Sequence, residues 1–187
     1  MAQARPAVFL DRDGTINVRA ARHDYVRDPN DFRWLPGALE GMVRLARAGR
    51  PLIVVSNQRG VSRGLVSCAT LSTIESRIQE ALAEHSCHVE AFKYCVHDLD
   101  TRCDCRKPRP GLLVSAAAEM GLDLRRSWMV GDTDEDMEAG SSAGCRTILL
   151  TTDMGRNRLT AESLSDAAAA ILAAGPADVP DDHAYAR

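Results

Sequence analysis

This sequence has few aromatic side chains, no long apolar run and no excess of positive charge. Aromatic residues make up 4% of the chain, and 23 Lys and Arg stand against 26 Asp and Glu. A nucleic-acid-binding domain would usually be strongly basic, so this balance argues against one. No run approaches the roughly 18 apolar residues of a membrane-spanning helix. The apolar run near the N-terminus has only five residues. We therefore expect no signal peptide, and a cytoplasmic protein that binds neither membranes nor nucleic acid.

The length of 187 residues suffices for one well-packed domain and is short for two. We expect a single domain over residues 1–175, monomeric by default. Residues 176–187 are polar and contain two prolines, which predicts a flexible C-terminal tail.

Short apolar runs alternate with segments of helical periodicity along the chain. This alternation predicts an α/β fold, with a Rossmann-like central parallel sheet and helices on both faces. The predicted strands are residues 7–11, 51–57, 91–95, 127–131 and 146–150. The predicted helices are residues 38–48, a segment with Leu71, Ile74, Ile78 and Leu82 on its apolar face, and residues 110–121, 134–143 and 161–174.

Polar side chains directly follow three of the predicted strands. Asp11 and Asp13 leave the first strand, Ser56 and Asn57 end the second, and Asp132 follows the strand at residues 127–131. Ligands of parallel α/β sheets bind beyond the carboxyl ends of the strands. We therefore expect these residues to share one site.

The stretch FLDRDGT at residues 9–15 is the most informative part of the sequence. Asp11 and Asp13 are two residues apart and point to the same side, where their carboxylates repel each other unless a cation or a proton neutralises them. Taken alone, Asp-x-Asp-Gly also fits a polar turn. A second acidic stretch, VGDTDED at residues 130–136, and Lys107 add further carboxylates and a cation. Together they predict a Mg²⁺-dependent phosphoryl-transfer site.

Three of the six cysteines lie with one histidine inside an 11-residue segment. Cys95 and His97 form one pair spaced by a single residue, and Cys103 and Cys105 form another. In an extended segment this spacing directs both side chains of a pair the same way, so two pairs can complete a tetrahedral site for structural Zn²⁺. A strained Cys103–Cys105 disulfide, or free thiols with His97 on the surface, are the alternatives. A cytosolic chain disfavours the disulfide.

The acidic and basic residues resemble the four motifs of the haloacid dehalogenase (HAD) superfamily of phosphatases, in the expected order. Motif one is residues 11–15, motif two Ser56, motif three Lys107, and motif four Gly131 and Asp132 with Asp136. The resemblance implies Mg²⁺ bound by Asp11, the backbone carbonyl of Asp13 and Asp132, with Asp136 orienting these ligands.

The same resemblance implies the catalytic roles. Asp11 would attack phosphorus and form an aspartyl-phosphate. Asp13 would protonate the leaving oxygen and then activate the water that hydrolyses the intermediate. Ser56 and Lys107 would hold the phosphoryl oxygens.

The cysteine pairs, followed by Arg-Lys-Pro, narrow the resemblance to one subgroup. It contains the D-glycero-D-manno-heptose 1,7-bisphosphate phosphatases and the histidinol-phosphate phosphatases. Similarity to the heptose enzymes covers nearly the whole chain, including DRDGTIN, SNQRGVSRG and CDCRKPRPGLL. It implies removal of the C7 phosphate of the heptose bisphosphate, with histidinol phosphate or another small sugar phosphate as the alternative substrate. Zn²⁺ would fix the loop that presents Arg106 and Lys107.

No insertion is large enough for a separate cap domain, so short loops are expected to define the pocket. The residues expected to contact a small phosphorylated sugar are Arg22, His23, Asp24, Tyr25, Ser56, Asn57, Gln58, Arg59, Arg106, Lys107 and Thr133. Thr133 departs from the subgroup, since many heptose enzymes carry a lysine there. A different class of function, a zinc-stabilised nucleic-acid-binding module using the RKPRP run, is opposed by the negative net charge and the few aromatic residues.

Overall fold

The computed structural model describes residues 4–21, 24–153 and 158–175. Its strands are β1 (Val8–Leu10), β2 (Leu52–Asn57), β3 (Ala91–Cys95), β4 (Trp128–Gly131), β5 (Arg146–Leu150) and β6 (Thr160–Ala161). Its α-helices are α1 (Ala38–Arg47), α2 (Cys68–Ala83), α3 (Gly111–Met120), α4 (Asp134–Ser142) and α5 (Leu164–Ala173). Two short 3₁₀ helices, Pro29–Asp31 and Leu124–Arg126, complete the regular structure of the described residues.

The six strands form one parallel sheet in the order β3-β2-β1-β4-β5-β6. β1 lies between β2 and β4, with Leu10 opposite Val54 on one side and Val130 on the other. All three strands are buried on both faces, which explains their uninterrupted apolar sequences. The chain order reverses direction at β1, so the crevice beyond β1 is the place where this architecture binds ligands.

Two hydrophobic cores cover the two faces of the sheet. Alternate side chains of β1 illustrate the division: Val8 and Leu10 belong to the core beneath α1, α2 and α5, whereas Phe9 belongs to the core beneath α3 and α4. Successive strand residues point to opposite faces, so one apolar strand serves both cores. In α2, the four residues expected on its apolar face are the four buried ones.

Most predicted elements are confirmed to within one or two residues at their ends, and the predicted α/β fold is confirmed. The predicted helix at residues 161–174 was wrong at its start, because Ala161 belongs to β6 and the helix begins at Leu164. Ser163 sets this boundary: its side chain accepts a hydrogen bond from Asp166 N, as an N-cap does. β6 itself was missed because two residues carry no periodicity.

The loops above the sheet are short. Between β1 and β2, the described residues form one 3₁₀ helix and α1, and they contain no additional domain. None of the helices in the described ranges combines the length and the apolar composition that a membrane crossing needs. The predicted tail, residues 176–187, lies outside the described residues.

Candidate active site

The carboxyl ends of β1 and β2 open into a cavity of about 700 Å³. Residues that line it include Asp11, Asp13, Ser56, Asn57, Lys107 and Thr133, all of them predicted from the sequence. Asp11 directly follows β1 and Ser56 lies near the end of β2, and both side chains are buried at the floor. The parallel sheet thus brings together residues that are far apart in the sequence.

Lys107 is the centre of the buried polar contacts. Its ammonium group donates hydrogen bonds to Asp11 Oδ1 (2.6 Å), Asp136 Oδ1 (2.5 Å) and the carbonyl of Val55 (2.9 Å). Only 3% of the Lys107 side chain is exposed, so three acceptors satisfy its three donors away from water. The two carboxylates outweigh the effect of burial and raise the pKa of Lys107, which keeps it charged.

Asp11 combines burial with a crowded charge environment. Burial raises the pKa of its carboxyl to about 6, with smaller contributions from Asp136 and Asp13, while the Lys107 ammonium partly offsets the rise. Burial also raises the pKa of Asp132. An additional cation stabilises the anionic form of buried carboxyls whose pKa is raised in this way. A metal ion would supply this positive charge.

Asp13 is held by a network that the sequence did not predict. Its carboxylate accepts hydrogen bonds from Arg12 Nη2 (2.8 Å), Asn17 Nδ2 (2.9 Å) and Gln58 Nε2 (2.8 Å). Burial would raise the pKa of Asp13, but Arg12 and these hydrogen bonds together lower it. Arg12 is almost fully buried, at 1% exposure, although its position between two aspartates suggested no core role. Gln58, which was expected to contact the substrate, is buried, and its side-chain amide donates hydrogen bonds to Asp13 and Ser56.

Asp11, Asp132 and Asp136 offer carboxylate oxygens that lie within 4.8 Å of one another. An all-oxygen donor set of this kind suits Mg²⁺. The Arg19 guanidinium lies beside these carboxylates. It donates hydrogen bonds to Asp132 Oδ1 (2.8 Å) and to the carbonyl of Asp13 (3.2 Å). These residues therefore fit the metal that the sequence predicts.

Gly14 makes the close approach of Asp132 feasible. Its φ of +98° lies in the left-handed region, and a Cβ there would come within 2.0 Å of an Asp132 carboxylate oxygen. Glycine is the residue that meets both conditions.

Asp136 is positioned by the start of α4. Its Oδ2 accepts hydrogen bonds from Thr133 N (3.1 Å) and Thr133 Oγ1 (2.5 Å), in the capping box that begins this helix.

The four predicted zinc ligands also converge, with their ligand atoms within 4.8 Å of one another. Cys95 Sγ lies 3.7 Å from Cys103 Sγ and 3.6 Å from His97 Nδ1. Zn–S bonds of about 2.3 Å and Zn–N bonds of about 2.05 Å in a tetrahedron imply edges of about 3.8 and 3.6 Å. The spacing thus fits zinc in size and in ligand type. None of the six cysteines forms a disulfide in the structure, and Cys103 and Cys105 are therefore not paired in this way.

Three sets of contacts connect the cysteine loop to the active-site cavity. The Asn57 side chain donates to the carbonyl of Lys107 (3.0 Å) and accepts from the Lys107 backbone N–H (3.1 Å), which joins β2 to the segment after Cys105. Arg106, which lines the cavity, donates to the carbonyl of His97. The Arg59–Asp98 ion pair (2.5 Å) makes a third connection. Each contact joins a cavity residue to a predicted zinc ligand or to a residue within two positions of one.

The remaining predicted substrate residues divide into two groups. Asp24, Tyr25, Arg59, Arg106 and Thr133 line the cavity, whereas Arg22 and His23 lie outside the described residues. Arg19, Leu99, Asp134 and Glu135 also line it and were not predicted. They lie in loops or at a helix end, where neither periodicity nor a motif marks them.

Comparisons with known proteins agree with this arrangement. The HAD-hydrolase-like family model matches residues 104–182. The D-glycero-beta-D-manno-heptose-1,7-bisphosphate 7-phosphatase of Photorhabdus laumondii is 35% identical over 187 residues, with 96% of each chain covered. The protein of the same name from Escherichia coli K12 is 39% identical over 157 residues, covering 80% of this chain and 81% of its own.

A solved structure extends the similarity to the whole fold. The D,D-heptose 1,7-bisphosphate phosphatase of B. bronchiseptica, complexed with magnesium and phosphate, superposes with a TM-score of 0.83 at 32% identity. The match covers 91% of this chain and 99% of that one. With more than 30% identity sustained along nearly its full length, the chain belongs to the HAD-like hydrolases, in the family of the heptose-1,7-bisphosphate 7-phosphatases.

Proposed function

We propose that this protein is a Mg²⁺-dependent phosphatase that removes the C7 phosphate of D-glycero-β-D-manno-heptose 1,7-bisphosphate, a step in the biosynthesis of nucleotide-activated heptose. One observation carries the proposal. A buried carboxylate, that of Asp11, lines an open cavity, where it forms an ion pair with Lys107 and lies next to Asp132 and Asp136. The relatives of this chain are named heptose-1,7-bisphosphate 7-phosphatases.

Asp11 acts as the nucleophile. Its carboxylate oxygen forms a bond to phosphorus while the bond between phosphorus and the sugar oxygen breaks, giving an aspartyl-phosphate. Lys107 holds Asp11 in place and keeps it anionic. Ser56 donates to a phosphoryl oxygen, and Lys107 exchanges one of its three present acceptors for another phosphoryl oxygen when substrate binds. Mg²⁺ would be held by Asp11, Asp132 and the Asp13 carbonyl, and when bound supplies positive charge next to the phosphate. Asp136, with both oxygens already accepting hydrogen bonds, positions Lys107 and the start of α4.

Asp13 carries the proton in both half-reactions. In the free protein Arg12 favours its carboxylate form, and the approach of a negatively charged phosphate raises its proton affinity by charge repulsion. Asp13 therefore takes up a proton from solvent as the substrate binds, and then gives that proton to the leaving sugar oxygen. In the second half-reaction it takes a proton from water, whose oxygen attacks phosphorus as the bond to Asp11 breaks. Inorganic phosphate leaves and Asp11 is regenerated.

The cysteine and histidine cluster is proposed to hold Zn²⁺ with a structural role. Four protein ligands leave no open position for substrate. Arg106 and Lys107 directly follow Cys105, so a rigid metal site fixes where both cations stand. We further propose that the protein acts as a cytoplasmic monomer on a small sugar substrate, away from membranes and nucleic acid. The absence of a disulfide among its six cysteines and its net charge of −3 support this.

The substrate proposal is tested by phosphate release from four compounds: the α and β anomers of the heptose 1,7-bisphosphate, the heptose 7-phosphate, and histidinol phosphate. We expect turnover of the bisphosphate that stops on removal of Mg²⁺, with heptose 1-phosphate as the product identified by ³¹P NMR. Equal turnover of histidinol phosphate, or loss of the C1 phosphate first, would contradict the proposal.

Disruption of the zinc site should impair the enzyme from a distance. Replacing Cys105 by Ser removes one of four ligands and loosens the segment before Arg106, so we expect loss of bound zinc and at least about a tenfold fall in kcat/KM. Metal content by mass spectrometry and phosphate release measure the two effects. Cys68→Ser is the matched control, since Cys68 is an exposed free thiol outside the cluster. A Cys105→Ser protein without zinc but with full activity would show that the cluster does not support the site.

A further inference from the structure

Arg19 places a positive charge on the oxygens that are proposed to bind the metal. Its Nη2 donates to Asp132 Oδ1 at 2.8 Å and its Nε donates to the Asp13 carbonyl at 3.2 Å. Two of the three groups proposed to hold Mg²⁺, the Asp132 carboxylate and the Asp13 carbonyl, thus accept hydrogen bonds from one guanidinium group. The Arg19 side chain is 52% exposed, so it reaches this position from the open side of the cavity.

The charges around the cavity floor explain why a guanidinium group is stable there. Lys107 forms ion pairs with Asp11 and Asp136, and Arg12 forms one with Asp13. The ion pair of Asp132 is with Arg19. The 2.8 Å contact places the guanidinium charge directly against the Asp132 carboxylate, so it stabilises the anion. Arg19 thereby does for Asp132 what a bound divalent cation would do.

A guanidinium group and Mg²⁺ compete for these oxygens. Mg²⁺ needs direct contact with its ligand oxygens at about 2.1 Å, and it repels a second cation on the same atoms. Binding of Mg²⁺ there therefore weakens the contacts of Arg19 with Asp132 and the Asp13 carbonyl.

We propose that Arg19 is an intramolecular competitor of Mg²⁺: it neutralises Asp132 in the metal-free protein and lowers the affinity of the site for the metal. The inference rests on the proposed Mg²⁺ site and adds a residue that sets its affinity. It also raises the Mg²⁺ concentration at which the site is half occupied, because metal binding includes the loss of an ion pair.

The test is titration of the full chain, with its zinc left in place, with Mg²⁺ alone by isothermal calorimetry. Arg19→Met removes the charge and keeps most of the side-chain stem, and we expect Mg²⁺ to bind about fivefold more tightly, the size expected for a partly exposed ion pair. Arg19→Lys keeps the charge but cannot bridge both oxygens, so the Mg²⁺ affinity of this variant should lie between those of the wild type and Arg19→Met. Arg5→Met is the control: Arg5 is 56% exposed and pairs with Glu90 away from the cavity.

Asp132→Asn separates the two ways of failing. If the wild type and the Arg19 variants do not bind Mg²⁺, or if Asp132→Asn does not weaken the binding, the proposed Mg²⁺ site and the inference both fail. If Asp132→Asn weakens binding but Arg19→Met binds no more tightly than the wild type, the inference alone is overturned. An Arg5→Met variant that binds as tightly as Arg19→Met would also overturn it, since net charge would then account for the change.

Discussion

Replacing Asp11 by Asn is expected to lower the rate of phosphate release by at least about 10⁴-fold, the order of loss seen when a hydrolase loses its nucleophile. The amide has nearly the shape of the carboxylate but does not form the aspartyl-phosphate. Asp11 lies at 5% exposure against Lys107, and the variant leaves Lys107 its contacts with Asp136 and Val55. Steady-state phosphate release, with circular dichroism to verify folding, measures the effect.

Two controls separate chemistry from folding and from metal binding. Asp28→Asn changes an acid that caps the first 3₁₀ helix outside the cavity, and Asn is an equally good cap, so its activity should equal that of the wild type. Mg²⁺ titration of Asp11→Asn shows how much of the loss comes from a weaker metal site, and saturating Mg²⁺ should not restore the rate. Wild-type release of phosphate by a pure Asp11→Asn protein would rule out the aspartyl-phosphate mechanism.

The catalytic candidates could be located from the sequence because the fold itself marks their positions. Each of Asp11, Ser56 and Asp132 lies at or just after the end of an apolar strand, and parallel pairing aligns those ends. The two cysteine pairs were equally visible, because a spacing of one residue fixes the direction of neighbouring side chains without reference to the rest of the chain. Local rules of this kind require no knowledge of long-range packing.

Arg12 and Arg19 illustrate what such rules cannot reach. Both are charged residues in a polar stretch, yet one is buried beneath Asp13 and the other lies on Asp132 from the cavity side. Their positions depend on contacts with residues up to 113 positions away. The Arg59–Asp98 ion pair, which joins two loops 39 residues apart, has the same origin. These contacts decide the charge balance of the site, so its electrostatics became apparent only in three dimensions.

Lys107→Met is expected to lower the free energy of unfolding by about 3–5 kcal/mol, because removing one partner of a buried ion pair leaves the other charge uncompensated. Here two carboxylates, on Asp11 and Asp136, would lose their shared cation. The pKa of Asp11, already raised to about 6 by burial, should rise further without the Lys107 charge that lowers it. Urea unfolding curves fitted by linear extrapolation measure the change.

The chain supplies a matched control and a way to identify the cause. Lys93, its other lysine, pairs with Glu119 at the surface, so Lys93→Met should cost less than about 1 kcal/mol. In the double variant Lys107→Met/Asp136→Asn one uncompensated carboxylate is removed, and the protein should regain part of the stability lost by Lys107→Met alone. If the double variant is instead less stable than Lys107→Met, the hydrogen bonds of Asp136 to Thr133 contribute more to stability than relief of the uncompensated charge, and the charge explanation is contradicted.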